Sequence, residues 1–144
     1  MPNVVTNFRS SGRMNINAAC SYLLNNVKGT SSKSGCAHYV RLAINAGGIA
    51  TPNNPVPAQD YMHYLPSIGF KCVASFTAPG IFPNPQPGDI SVQTAVPNHT
   101  RPEGHICMYC GKYWYSDFIQ SGASGMWGGP GYRQYGSTCG IFRI

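Results

Sequence analysis

Apolar residues recur at helical spacing in the first third of the chain and then give way to alternation. Ile16, Ala19, Cys20, Leu23, Leu24 and Val27 fall on one side of a 3.6-residue period. That predicts an amphipathic helix over 15–27, with Asn15 or Asn17 as its N-cap. A polar Gly/Ser-rich loop occupies 30–35. Ala37, Val40, Leu42, Ala43 and Ile44 then repeat the helical spacing, and Gly47-Gly48 supplies a stop, so a second helix is predicted over 36–46. After a proline-rich loop at 49–57, residues 58–65 predict a short helix that ends before Pro66.

From there the pattern is β-like. Strands are predicted over 70–76, over 89–93 after the turn pair Pro87-Gly88, over 105–110, over 113–119 and over 139–144. Gly111-Lys112 is a two-residue hairpin turn between the third and fourth of these. Residues 79–88, 95–104 and the glycine-rich 121–136 read as loops. Helices first and antiparallel strands afterwards make an α+β arrangement. The expectation is one domain over residues 1–144, with N-terminal helices packed on a central antiparallel sheet.

Composition sharpens this. Hydrophobic residues are 42% of the chain, enough for a core, while charged residues are only 10%, so solubility rests on neutral polar side chains. The net charge is +6, which favours anionic partners. The basic residues are scattered singly rather than clustered on one face, which argues against nucleic acid. No apolar stretch approaches the ~20 residues of a membrane span. Six cysteines suggest exposure to an oxidising compartment, yet the N-terminal residues carry no charged segment followed by an apolar run. Either a signal has been removed before residue 1, or the chain is exported by a route that reads none.

The candidate chemistry centres on Cys36, at the first turn of the second predicted helix. Unpaired backbone N–H groups and the positive end of the helix dipole favour a thiolate there. A nucleophilic thiol needs a base, and the base needs an orienter. Of the four histidines, His38 lies on another face of the same helix, and His63 and His99 have no supporting pattern. His105 opens a strand immediately after a glycine and is the candidate base. The 105–110/113–119 hairpin brings Asp117, or its neighbour, across from His105 at about 5 Å. A carboxylate there can hold the imidazole tautomer. The bland alternatives are a structural strand histidine and a solvated strand-end acid.

Cys36 heading a helix, Pro87-Gly88-Asp89-Ile90 opening a strand, Gly104-His105-Ile106-Cys107-Met108-Tyr109-Cys110-Gly111, and Trp114-Tyr115-Ser116-Asp117-Phe118 follow in an order that resembles the NlpC-like and CHAP cysteine peptidases of the papain-like superfamily. The resemblance covers 34–119 and implies a papain-like fold and hydrolysis of amide bonds in bacterial peptidoglycan. Cys36 is then the nucleophile, His105 the general base and then acid, and Asp117 the orienter; Asp89 is a structural match. Ser-Gly-Cys-Ala departs from the commoner Asp-Cys-Ser at the nucleophile. The Cys36 backbone N–H is the expected oxyanion donor. Small size, basic charge and the absent signal resemble the amidase effectors injected by type VI secretion, most closely the second or third family. That implies a monomer that acts in a rival's periplasm on stem-peptide crosslinks, without cofactor or metal, with a cognate immunity protein as partner. A non-catalytic, disulfide-stapled cell-wall-binding module is the alternative, and an acyltransferase on the same triad is a third reading.

Cys107 and Cys110 form a C-x-x-C next to His105, but residues three apart in a strand face opposite ways, which is poor for zinc. Disulfides among Cys20, Cys72, Cys107, Cys110 and Cys139 are preferred, with Cys110–Cys139 as one guess; Cys20 by itself reads as a small buried hydrophobe. Trp114 reads as strand packing. Trp127 is either a groove wall or a tucked-in anchor. Arg41 and Arg101 are cations that could meet a substrate carboxylate, and nothing in the sequence selects either.

Overall fold

A computed structural model describes residues 14–29, 35–95, 103–120, 126–127 and 136–144. The expectations for 1–13, most of 30–35, 96–102 and most of 121–136 lie outside the described residues.

The first predicted helix is α1, Ile16–Asn26; Asn15 is its cap, with its Oδ1 accepting from Ala18 N at 3.0 Å. The second, α2, is Cys36–Ala46. A 3₁₀ turn, Ala58–Asp60, runs into α3, Tyr61–Ser67. Here the expected stop before Pro66 is off by two residues. Pro66 sits inside the last turn, where the helix is already ending and one missing N–H costs little.

Six strands form one sheet: β1 Lys71–Thr77, β2 Ile90–Gln93, β3 His105–Tyr109, β4 Trp114–Tyr115, β5 Ile119–Gln120 and β6 Thr138–Arg143. Their order is β1-β6-β2-β3-β4-β5, and each pairing is antiparallel. This is the α+β architecture that the pattern predicts. Asp89 falls just outside β2. Its buried carboxylate takes a two-pronged ion pair from Arg143 Nε and Nη2 at 2.8 Å each and a third hydrogen bond from Gln86 N, tying the entry of β2 to the exit of β6.

The predicted single strand over 113–119 is broken. β4 pairs with β3 only at Met108↔Tyr115 and Tyr109↔Trp114. The chain then turns at residues 116–118, and β5 folds back on β4, Trp114 facing Gln120. Ser116 and Asp117 cause the break: their side chains bond locally and compete with the ladder.

Strand alternation gives the sheet two covered faces. Ile90, Val92, Ile106, Met108 and Phe142 pack with Leu23, Val40, Ile44 and Leu65 of the helices. Full burial of each such side chain is worth about 1.5–3 kcal/mol. On the other face Cys107, Trp114, Cys139 and Ile141 pack around Met126 and Trp127. Trp127 is the tucked-in anchor: it is buried and its indole N–H donates to Gly80 O at 2.8 Å. Trp114 packs in the strand layer as expected.

One disulfide is present among the described residues, Cys20–Cys110, with Cα atoms 5.6 Å apart. It corrects both the Cys110–Cys139 guess and the reading of Cys20 as a packing residue. Cys110 sits with Met108 on the helix face, where α1 presents Cys20, whereas Cys139 lies on the opposite face.

Candidate active site

Cys36 is the first residue of α2 and keeps a free, half-buried thiol. The helix is held against β3 through Val40, Ala43 and Ile44, all buried in the helix-side core. This packing carries the sulfur to the head of β3, where the backbone N–H of Ile106 lies beside it, with that of Ala37 from its own helix. Both N–H groups favour the thiolate, as expected of a helix N-terminus. Burial is the larger effect, and the charges of Asp117 and Glu103 add to it. The thiol is pushed from 9.0 up to about 11. The helix head alone therefore does not ionise Cys36, which keeps the need for a base that the sequence reading states.

His105, the residue before Ile106, opens β3 and is buried. The glycine before it is required. Gly104 has φ +75°, and a Cβ there would collide with the carbonyl of Gln93 and lie 2.7 Å from Gln59 Cβ. The imidazole Nε2 is 2.8 Å from Gln120 Oε1, and the ring lies 5.9 Å from that of Phe118. Gln120 is the residue that the sequence reading missed. The available signal was the Ser116-Asp117 pair, a turn-former in the middle of an assumed strand, which shifts every later position.

Asp117 was expected opposite His105 on the adjacent strand. It lies instead in the turn after β4, buried, with Oδ2 accepting from Gly35 N at 3.2 Å. Gly35 is the N-cap of α2, so this acid braces the helix that carries Cys36. The Ser116 hydroxyl lies 3.2 Å from Asp117 Oδ1 and 2.8 Å from Gln120 Oε1, linking the acid to the amide beside the imidazole. All three expected residues thus converge on the heads of α2 and β3.

The other candidates stay apart from this cluster or carry no comparable setting. His38 and His63 are exposed, and His38 Nδ1 is 3.1 Å from Arg41 Nη2. His99 and Arg101 lie outside the described residues. Cys107 and Cys139 are buried thiols with raised pKa, chiefly through burial, that of Cys139 up to about 12. Cys107 donates to Met126 O, and Cys139 Sγ is 3.1 Å from Ser91 Oγ. No group of three or more His, Cys, Asp or Glu side chains is placed to hold a metal among the described residues. The cluster brings together a thiol, a neighbouring imidazole, a side-chain amide at the imidazole's Nε2, and backbone N–H groups at a helix head.

No family profile matches the chain, and neither does any curated protein. Two solved structures do. One is the type VI native effector–immunity complex Tae3–Tai3 from Ralstonia pickettii, 34% identical over 88% of this chain and 96% of that one, with a TM-score of 0.69. The other is the selenomethionine form of that complex, 35% identical over 86% and 99%, with a TM-score of 0.64.

Proposed function

The chain belongs to the Tae3 family of type VI effectors, and on that premise we propose that it is a peptidoglycan amidase that hydrolyses stem-peptide crosslinks by a Cys/His mechanism. Cys36 is the nucleophile, His105 the general base and then acid, and Asp117 the polar residue that fixes the nucleophile's helix. The observation that carries this reading is the free Cys36 sulfur beside Ile106 N–H, one residue from a buried histidine.

The imidazole takes the Cys36 proton, the electron pair stays on sulfur, and the sulfur adds to the amide carbonyl. The carbonyl oxygen becomes negative beside the Cys36 backbone N–H, which stabilises it. When the C–N bond breaks, the imidazolium returns its proton to the leaving nitrogen. Water, deprotonated by His105, then releases the acyl group from sulfur.

The order of cysteine, histidine and polar residue supports kinship with the NlpC-like and CHAP peptidases. The family's effector–immunity pairing supports action in a target cell's periplasm and a cognate immunity protein as partner. Purified sacculi digested with the protein, followed by mass analysis of the muropeptides, test the reading. Crosslinked dimers should fall to monomers. Cys36→Ala and His105→Ala should each abolish the change while circular dichroism stays native. Undiminished digestion by Cys36→Ala would overturn the mechanism.

A further inference from the structure

We infer that Arg41 and Tyr61 form a subsite beside Cys36 that receives a free carboxylate of the stem peptide. The inference rests on the reading of the chain as a stem-peptide amidase and adds a contact by which it selects its substrate. Arg41 stands on α2, the helix that Cys36 heads. Tyr61 opens α3, directly after the 3₁₀ turn Ala58–Asp60. That turn is fastened to the head of β3: Gln59 N donates to Glu103 O at 2.8 Å, and Gln59 lies against Gly104, the residue before His105. The two side chains thus come from elements fixed at the end of the sheet that holds the thiol and the imidazole.

Tyr61 is fully buried, yet its hydroxyl makes no hydrogen bond. Leaving a buried polar atom in that condition costs stability, so it needs an explanation. Burial raises the hydroxyl's pKa above 10.0, so it keeps its proton and is a donor. Of the charged groups around it Arg41 has the largest effect, and the Cys36 thiol also reaches it. Arg41 is half-buried, with Nη2 3.1 Å from His38 Nδ1, and no carboxylate pairs with it among the described residues. A neutral carbonyl would satisfy the hydroxyl but leave the guanidinium uncompensated. A carboxylate accepts from both and carries the opposite charge. The hydroxyl is covered, so an arriving oxygen must displace a neighbour, and the long Arg41 side chain is able to yield. The sequence offered Arg41 and Arg101 equally; the orphaned hydroxyl selects Arg41.

Crosslinked muropeptides amidated at one stem-peptide carboxylate at a time test this. Amidation of one particular carboxylate should lower kcat/KM of the unmodified protein about 10- to 100-fold, the scale of hydrogen bonds to a charged group, and its position identifies the group bound. Tyr61→Phe, which removes a single oxygen, and Arg41→Gln should each lose about as much on the free-acid substrate, mostly through KM, and little more on that amidated one. Tyr61→Phe should melt no lower than the unmodified protein, because the lost hydroxyl had no partner. Indifference of the unmodified protein to every amidation, variants that lose equally on acid and amidated substrates, or variants that lose nothing would overturn the inference. If Arg41→Gln does not fold, Tyr61→Phe still decides it. Calorimetric binding of the same peptides to Cys36→Ala keeps the two readings apart. A preference for the free acid there, with no hydrolysis by the unmodified protein, would sink the amidase reading and leave the subsite standing.

Discussion

The Cys36 thiol is pulled in opposite directions by its two neighbourhoods. Backbone N–H groups at the helix head favour the anion; burial, together with Asp117 and Glu103, disfavours it more strongly and leaves the group near 11. A thiol raised in this way is protonated below that value and becomes reactive only as pH rises through it, unless an imidazole accepts the proton first. The alkylation rate of Cys36 should therefore level off at a lower pH in the unmodified protein than in one without the imidazole. In His105→Ala it should keep climbing toward pH about 11, as followed by mass spectrometry of the labelled peptide. Cys36 and His105 were legible as candidates because each stands at the start of an element, next to a glycine. Gln120 was not, because its amide is held by a carbonyl of Trp127, seven residues further along, and no local pattern encodes that meeting.

At the scale of elements, the site depends on how β3 begins. Gly104 permits a backbone turn against Gln93 and Gln59 that brings His105 in at a fixed angle. Gly104→Ala combines a left-handed backbone with a steric clash and should cost about 1–3 kcal/mol. Because the strain falls beside His105, sacculus hydrolysis should drop more steeply than thermal stability, a comparison made by parallel activity and melting measurements. Periodicity located both long helices and the order of the strands, since burial on one face leaves a regular imprint. It did not locate the break after Tyr115. Ser116, Asp117 and Gln120 spend their polar atoms on one another and on distant backbone, and alternation of apolar residues carries no record of that.

Across the whole molecule, the Cys20–Cys110 bond joins the helix layer to the end of β3 over a separation of 90 residues. Closing a loop of that size restricts the unfolded chain, and its loss should lower stability by about 2–5 kcal/mol. Urea titrations with and without reductant, and of Cys20→Ala/Cys110→Ala, should show the same drop. Sequence supplied the cysteines and the two faces of the strand, but not the partner, because pairing depends on which face α1 covers. The covalent ring formed by residues 20–110 encloses both Cys36 and His105. A protease that nicks the oxidised chain once anywhere inside that ring produces two pieces still held by sulfur, so Cys36 and His105 travel as a single molecule until a reductant parts them.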